Sequence, residues 1–183
     1  MRPSLVEVER GASPFDGYAV VIAAFESYHP EIYNFLRRST RDDSAAEDLL
    51  QEAFLRLTRE VGLGRAPDNM RAWLYRVASN LAISRGRRRR TVVAWMSQYG
   101  RTGERSEEST ESVVLGRVRT PGLDAAMAAL PPDARTALLL SAEGFSGEEI
   151  AEAIGRSHAA TRTLLSRARV RVRHDLEQRG VER

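Results

Sequence analysis

The sequence of 183 residues contains no cysteine and no lysine. Without thiols it can form neither disulfides nor thiolate metal sites, and a reducing cytosol is the simplest compartment for it. Long apolar runs are also missing: the longest, AVVIAAF over 19–25, is too short for a signal sequence or a membrane span. We therefore expect a cytoplasmic protein that does not insert into a membrane.

Patterns that support catalysis are scarce as well. His29, His158 and His174 have no metal-ligand spacing with each other or with carboxylates. No phosphate-binding glycine loop or nucleophile elbow is present, and the paired acids at 42–43 and 148–149 lie at predicted helix starts, where the helix dipole favours them. The sequence therefore predicts no metal, no cofactor and no enzymatic activity. A nuclease, the enzymatic alternative, would need a carboxylate cluster to hold its metal.

The basic residues are unevenly distributed, although the formal net charge is only +3. All 28 are arginine, whose planar guanidinium suits phosphate and base edges better than the point charge of lysine. A GC-rich genome would also favour arginine. Residues 71–90 hold seven arginines and no acid, and residues 156–174 hold six arginines and no acid. Such basic stretches predict contact with nucleic acid.

Apolar residues recur at helical spacing almost throughout, and strand signals are nearly absent. With 42% hydrophobic residues the chain can fill a globular core. We predict an all-α fold of two small helical domains, a three-helix N-terminal bundle and a C-terminal helix-turn-helix domain, joined by a flexible linker. The predicted segments are a flexible tail over 1–15, the first domain over 16–96, the linker over 97–122 and the second domain over 123–183.

Local signals place three helices in the first domain. We predict helices at about 17–38, at about 45–60 with Ser44 and Glu47 as a capping box, and from an Asp68 cap to about Arg88. The predicted core consists of Val21, Ala24, Phe25, Tyr28, Ile32, Phe35 and Leu36 from the first helix, and Leu50, Ala53, Phe54 and Leu57 from the second.

The second helix carries an acidic stripe opposite its predicted core face. The stripe consists of Asp48, Gln51, Glu52 and Leu55. Phosphates would repel it, so it suits the basic groove of a protein partner, with Leu55 as a candidate hot spot. The alternative is an ordinary solvated helix face.

The third helix has two predicted faces. Trp73, Val77 and Leu81 form a core stripe, flanked by Leu74, Ala78 and Ala82. Further round lie Tyr75, Arg76, Ser79, Asn80, Ile83 and Arg87. On that face an aromatic ring can stack on a base freed from a duplex while arginines hold the backbone. The alternative is that the aromatic residues simply belong to the core.

The C-terminal third has the layout of a helix-turn-helix. Ser146 and Glu149 form a capping box, Gly155 ends a short helix, and Ser157 caps a longer basic helix. The buried contact is predicted between Ile150, Ala151 and Ile154 on one helix and Thr161, Leu165, Ala168 and Val172 on the other. The remaining stripe, His158, Ala159, Arg162, Thr163, Ser166 and Arg167, would point outward. Such a stripe suits the major groove, whereas the alternative is a solvated helix of a bundle.

Taken together, these segments resemble a bacterial sigma factor of the extracytoplasmic-function group in the sigma-70 family. AEDLLQEAFLRL (46–57) resembles the helix that binds the polymerase clamp, and RAWLYRVASNLAISRGRRRR (71–90) resembles the promoter-melting helix. Residues 130–173 resemble the domain that recognises the −35 element. The resemblance implies an all-α transcription initiation factor. A helix-turn-helix regulator that binds duplex DNA without polymerase is the alternative.

The resemblance also implies partners and site residues. The partners are core RNA polymerase, through its β′ clamp and β flap, promoter DNA, and an anti-sigma factor that would hold the protein near the membrane. Asp48, Gln51, Glu52 and Leu55 would bind core polymerase. The loop over 61–69 would hold a flipped −10 base. The melted −10 strand would contact Arg65, Asn69, Arg76, Asn80, Arg85, Arg87 and Arg88. The −35 element would contact Ser157, His158, Ala159, Arg162, Thr163, Ser166 and Arg167.

Five positions depart from the family pattern in the second domain. Ala159-Ala160-Thr161 stands where Gly-Thr-Val is frequent, and Arg156 and His158 stand where apolar residues are common. These departures bear on which bases are preferred more than on the fold.

Overall fold

The computed structural model describes residues 14–98 and 121–179, and within these ranges it contains α-helices and no strand. The all-α prediction is therefore confirmed. The predicted flexible tail and linker fall largely on residues 1–13 and 99–120, which lie outside the described residues. The helices are α1 (Pro14–Thr40), α2 (Asp43–Gly62), α3 (Met70–Gln98), α4 (Pro121–Ala128), α5 (Pro132–Ala142), α6 (Gly147–Ile154) and α7 (His158–Gln178).

Two of the predicted N-terminal caps are wrong by one or two residues. The cap of α2 is Asp42 and not Ser44, because Asp42 has an extended backbone and its Oδ1 accepts from the Ala45 N–H at 2.9 Å. The cap of α3 is Asn69 and not Asp68, since Asn69 Oδ1 accepts from the Ala72 N–H at 3.0 Å. In each case the neighbouring polar residue was equally suitable by type, and backbone geometry decided between them.

Helix α3 also extends about ten residues beyond its predicted end near Arg88, reaching Gln98. Gly86 does not stop it, because glycine ends a helix efficiently only where the chain turns into the left-handed region. Thr91 Oγ1 donates to the Arg87 carbonyl within this extension at 3.1 Å. The run of arginines therefore lies in the interior of a long helix.

Most of the predicted N-terminal core is confirmed. Ile32, Phe35 and Leu36 of α1 are fully buried, and Leu50, Ala53, Phe54 and Leu57 of α2 are buried against them. Phe25 is an exception, because it is 45% exposed and packs only at the edge of the core, with its ring centroid 5.0 Å from that of Phe54.

The predicted faces of α3 are wrong in part: the flanking residues Leu74, Ala78 and Ala82 are buried and Asn80 and Arg87 are exposed as expected, but the other positions differ. The stripe of Trp73, Val77 and Leu81 is only half-buried. The buried positions are Leu74, Tyr75, Ala78, Ser79, Ala82 and Ile83. The reason is that α3 packs against α1 and α2 on one side and against α5 and α6 on another. Part of the face assigned to single-stranded DNA is therefore inside the protein.

The helix-turn-helix forms as predicted. The Glu149 N–H donates to Ser146 Oγ at 3.3 Å and the Ser146 N–H donates to Glu149 Oε2 at 2.8 Å, which completes the capping box. Gly155 ends α6 with φ 66° and ψ 43°, and Ser157 caps α7 through the Ala160 N–H. The buried residues of this pair of helices are Ile150, Ala151, Ile154, Thr161, Leu165 and Ala168, with Val172 half-buried.

The N-terminal unit (α1–α3) and the C-terminal unit (α4–α7) pack directly against each other. One hydrophobic cluster runs through both, from Phe35 and Tyr75 to Leu140 and Ile150. The sequence did not predict this contact, because it arises between helices far apart along the chain.

Arg135 joins its own helix, α5, to three other segments at this junction. Its guanidinium donates to the carbonyls of Met127 (2.9 Å), Ala128 (2.9 Å) and Leu130 (3.2 Å), and to the carbonyl of Ser39 in α1 (2.9 Å). Burial lowers the pKa of Arg135 to about 10, with smaller contributions from the nearby charges of Arg41, Arg90 and Arg89. The group therefore keeps its charge at neutral pH.

We expect Gly155→Ala to lower the free energy of unfolding by about 1–2 kcal/mol, because φ 66° places Ala in the left-handed region that L side chains disfavour. Gly62→Ala is the matched control, since Gly62 lies in the last turn of α2 and a methyl group there would face open space. Urea unfolding of both variants checks this. Equal effects of the two substitutions would contradict the role assigned to the Gly155 conformation.

Candidate nucleic-acid interface

The outward stripe of α7 is exposed along its whole length. His158, Ala159, Arg162, Thr163, Ser166 and Arg167 are all solvent-accessible, as is the capping Ser157. The N-terminal half of α7 is attached to α6 by the buried face described above, so the stripe is presented on a rigid support. The structure thus places the predicted −35 residues together on one surface.

This surface is positively charged. Residues 156–174 contain no acid, and among the described residues neither Arg162 nor Arg167 makes an ion pair. Arg169, by contrast, points toward α5 and donates to Ser141 Oγ at 3.0 Å. The arrangement can attract an anionic polymer to this surface of α7.

The two unusual polar residues of the turn have structural partners. Arg156 forms an ion pair with Asp133 at the start of α5. The imidazole of His158 lies against Gly147, where a Cβ atom would be only 2.9 Å from His158 Nε2. Both residues therefore connect α7 to the start of another helix.

The loop between α2 and α3 holds two predicted −10 residues within its own unit. Arg65 Nε and Nη2 donate to the two carboxylate oxygens of Glu60 at 2.9 Å and 3.1 Å, and this hydrogen bond lowers the pKa of Glu60. Asn69 uses its side-chain oxygen to cap α3. Both side chains remain exposed at the edge of the loop.

The predicted −10 residues of α3 are divided between two environments. Asn80, Arg87 and Arg88 are exposed. Arg85 forms an ion pair with Asp42, with 3.6 Å between Nη2 and Oδ2. Arg76 forms an ion pair with Glu152 of α6 in the C-terminal unit. The structure therefore does not bring the predicted set together as one free surface.

A crevice of about 300 Å³ separates the α2–α3 loop from α6. Asn69, Trp73 and Arg76 line it from the N-terminal unit. Phe145 and Glu152 line it from the C-terminal unit. The predicted flipped-base loop thus faces the helix-turn-helix domain.

Sequence reasoning missed Arg71, which stands at the centre of the junction. Its guanidinium carbon lies 4.9 Å from the ring centroid of Tyr75 and 5.1 Å from that of Phe145. It also forms ion pairs with two glutamates: Arg71 Nε lies 3.3 Å from Glu31 Oε1, and Arg71 Nη2 lies 3.9 Å from Glu143 Oε2. The seven arginines of 71–90 look alike by type, so no local signal separated Arg71 from the others.

The acidic stripe of α2 is placed as predicted. Asp48 and Gln51 are exposed, Leu55 is 53% exposed, and half-buried Glu52 accepts from Arg56 Nε at 2.8 Å. An exposed leucine beside carboxylates can bind an apolar pocket rimmed by basic residues.

Within residues 14–98 and 121–179, no group of three or more histidine, cysteine, aspartate or glutamate residues has the arrangement to hold a metal ion. The described helices also include none that is long and apolar enough to cross a membrane.

Comparison with known proteins matches each of the two units to a family model. Residues 24–92 match the family model for sigma-70 region 2, and residues 122–172 match that for sigma-70, region 4. The chain is 33% identical over 159 residues to the RNA polymerase sigma factor CarQ of Myxococcus xanthus, covering 86% of this chain and 90% of CarQ. It is also 30% identical over 154 residues to the ECF (extracytoplasmic-function) RNA polymerase sigma factor SigE of Mycolicibacterium smegmatis, covering 82% of this chain. The chain belongs to the extracytoplasmic-function group of the sigma-70 family.

Some relatives of this sigma factor are longer than the chain. It spans 59% of SigE and 36% of the probable sigma factor RfaY of Xanthomonas campestris pv. campestris, with which it shares 35% identity over 145 residues, 76% of this chain. The co-crystal structure of the sigma factor RpoE with the anti-sigma factor NepR from Bartonella quintana has the same fold, with a TM-score of 0.62 at 24% identity. That match covers 88% of this sigma factor and 97% of RpoE.

We expect Tyr75→Phe to raise the free energy of unfolding by about 1 kcal/mol, because the buried Tyr75 hydroxyl has no hydrogen-bond partner among the described protein groups. Tyr18 is 62% exposed, so Tyr18→Phe is the control and should change the free energy of unfolding by less than about 0.5 kcal/mol. Urea unfolding at neutral pH measures both.

The same variant changes the response to alkaline pH. Burial, followed by the carboxylates of Glu143 and Glu31, raises the pKa of Tyr75 to about 12. Since the unfolded phenol titrates near pH ~10, stability from this group is complete below that pH and is lost as the pH rises through the folded value. Tyr75→Phe should therefore lose less stability than wild type above that pH; an identical decline would contradict the burial of the phenol.

Proposed function

We propose that this sigma factor binds core RNA polymerase, recognises −35 and −10 promoter elements, and promotes DNA melting and transcription initiation. It would act in the cytoplasm, where the polymerase works, and without catalytic chemistry of its own. The exposed, acid-free stripe of α7 carries the proposal. It is a DNA-binding surface on a rigid helix-turn-helix, attached to a unit that offers a separate, acidic protein-binding face.

The C-terminal unit would read the −35 element in the major groove. The first turns of a recognition helix reach base edges and later arginines reach phosphate. Ser157, His158 and Ala159 stand at that N-terminal end. Arg162 and Thr163 follow one turn later, where a guanidinium can donate two hydrogen bonds to guanine O6 and N7. Ser166 and Arg167 then extend the surface toward the backbone.

The N-terminal unit would hold the melted −10 strand. Asn80, Arg87 and Arg88 are free to contact it, and the loop around Arg65 and Asn69 would receive a flipped base. The ion pairs of Arg65, Arg76 and Arg85 are surface pairs, which contribute about 0–1 kcal/mol each. A phosphate can therefore replace the carboxylate in each of them.

Core polymerase would bind the acidic stripe of α2. Asp48, Gln51 and Glu52 complement a basic groove, and the exposed Leu55 supplies the apolar contact that most protein interfaces centre on. By family resemblance the groove lies on the β′ clamp, and the C-terminal unit contacts the β flap.

An anti-sigma factor would control access to these surfaces. The structural relative RpoE is in complex with the anti-sigma factor NepR, and this chain shares its fold. If that regulator is membrane-bound, it would hold this sigma factor near the membrane.

The direct test is run-off transcription with purified core RNA polymerase and a promoter library. The proposal expects specific transcripts that depend on both core polymerase and this protein. A polymerase-independent helix-turn-helix regulator is the second candidate, favoured by the exposure of α7 alone. Duplex binding without core-dependent initiation at any promoter would favour that candidate and overturn the proposal.

We expect Leu55→Asp to weaken binding to core RNA polymerase by at least about tenfold, because it places a charge in the apolar centre of the interface. Leu63→Asp is the control, because Leu63 is 62% exposed and lies beyond the end of α2, away from the stripe. Binding of the labelled full chain to core polymerase measures this. If both variants lose the same affinity for core polymerase while still binding duplex DNA, and are therefore still folded, the α2 stripe is not the polymerase-binding surface.

Arg162→Ala should reduce discrimination at one −35 base pair by about 1–3 kcal/mol if its guanidinium reads that pair. Arg171→Ala removes the same charge from the opposite, also exposed side of the same helix, nine residues further on, so it should weaken binding without changing preference. Selection from a randomised duplex library with each variant reads out the preferred sequence. An unchanged preference for Arg162→Ala refutes the assignment.

A further inference from the structure

The backbone at the start of α7 is held by contacts on both sides of the turn. Gly155 ends α6 in the left-handed region, and Arg156 forms an ion pair with Asp133 at the start of α5. Ser157 then caps α7, because its Oγ accepts from the Ala160 N–H at 3.3 Å. The first turn of α7 therefore has one backbone geometry, and the direction of each side chain there depends on its own neighbours.

His158 supplies most of the hydrogen-bonding capacity of this first turn. Ala159 and Ala160 carry no polar group, and Ser157 Oγ is engaged in the cap. One turn later, Thr163 Oγ1 donates to the Ala159 carbonyl at 3.1 Å. The imidazole of His158 is on an exposed residue, and each of its ring nitrogens can serve as a donor or an acceptor. The direction of this ring therefore decides what the start of α7 offers to a base edge.

The imidazole lies edge-on over a glycine of the neighbouring helix. Gly147 is the first residue of α6, and a Cβ atom there would lie 2.9 Å from His158 Nε2 and 3.3 Å from His158 Cδ2. Carbon atoms in van der Waals contact are about 3.5–4.0 Å apart, so a methyl group at this position would displace the ring. The Nε2–Cδ2 edge therefore faces α6, and the edge that carries Nδ1 faces away from Gly147.

The backbone of α6 does not require glycine at this position. The φ of Gly147 is negative, unlike the φ of 66° at Gly155, so any residue could adopt it. The capping box of Ser146 and Glu149 uses backbone N–H groups and side chains that a methyl group at residue 147 would leave in place. What glycine provides here is space, and the His158 ring occupies it.

We infer that Gly147 is a specificity-determining position of the −35 surface: by leaving room for the His158 imidazole at the start of α6, it fixes which edge of that ring meets the DNA. The inference rests on the proposed function, because it takes the −35 surface from there. Gly147 is a positioning residue that acts through His158. The edge that carries Nδ1 is the one left for a base edge in the major groove, such as N7 of a purine.

The test compares the base preference of four full chains: wild type, Gly147→Ala, His158→Ala and the double variant. Selection from a randomised duplex library gives the preferred sequence of each chain. Binding to that duplex and to its single-base-pair variants then gives the ratio of affinities at every position. Gly17→Ala is the matched control, because it adds the same methyl group to α1, where the nearest atom is Val61 Cγ1 at 3.3 Å.

We expect Gly147→Ala to change the affinity ratio at one −35 base pair by about fivefold, because the ring must turn and its hydrogen bond to that base is lost or redirected. His158→Ala should remove the preference at the same base pair. When His158→Ala is already present, Gly147→Ala should have no further effect, since no ring remains to be displaced. Gly17→Ala should leave the preference unchanged.

Three outcomes overturn the inference. The first is an unchanged preference in Gly147→Ala. The second is a change of equal size in the chain that already lacks the imidazole, which would mean that residue 147 acts on the DNA without His158. The third is an unchanged preference in His158→Ala, and this result does not depend on how well Gly147→Ala folds.

Arg162→Ala in the same selection separates this inference from the proposed function. If Arg162→Ala changes the preference while Gly147→Ala and His158→Ala do not, the −35 surface stands and the pairing of Gly147 with His158 is wrong. If none of the three substitutions changes the preference, the −35 surface is wrong and the inference fails with it.

Discussion

The arrangement of the helices depends on the hydrogen bonds that the guanidinium of Arg135 donates to backbone carbonyls. The last carbonyls of a helix have no partner within it, and a junction between helices keeps water away from them. Arg135 donates to carbonyls at the ends of α4 and α1 and in the turn before α5. These carbonyls lie at negative ends of helix dipoles, so they stabilise the cation without a carboxylate. By joining the end of α1 to the start of α5, Arg135 brings Pro132 to Gly86 and Glu143 to Arg71.

A second consequence of this arrangement is the separation of charge between faces. The C-terminal unit turns Glu143 and Glu152 toward the arginines of the N-terminal unit, while the acid-free side of α7 faces solvent. A protein with a formal net charge of only +3 can therefore present a strongly basic surface in one direction. The same pairing explains why the arginines of α3 do not form one open basic patch.

Features that depend on a few neighbouring residues could be predicted from the sequence. The capping box of Ser146 and Glu149 and the left-handed Gly155 follow from local chemistry, and the outward stripe of α7 follows from helical period. Asp42 and Asn69 show the limit of such signals, because several polar residues in a row can each cap a helix. The exposed α2 stripe around Leu55 was also predictable, since its opposite face is strongly apolar.

The faces of α3 could be predicted only in part, and the reason is physical. Periodicity describes how residues are arranged around one helix, but it does not say how many neighbours that helix has. Tyr75 is buried because Phe145, which is distant along the chain, closes over it together with Arg71. By itself the sequence determined that this chain is helical, that its second unit is a helix-turn-helix, and which side of α7 is free. Only the tertiary structure decided which arginines of α3 are occupied by acids of the other unit, because that choice depends on contacts between residues far apart in the sequence.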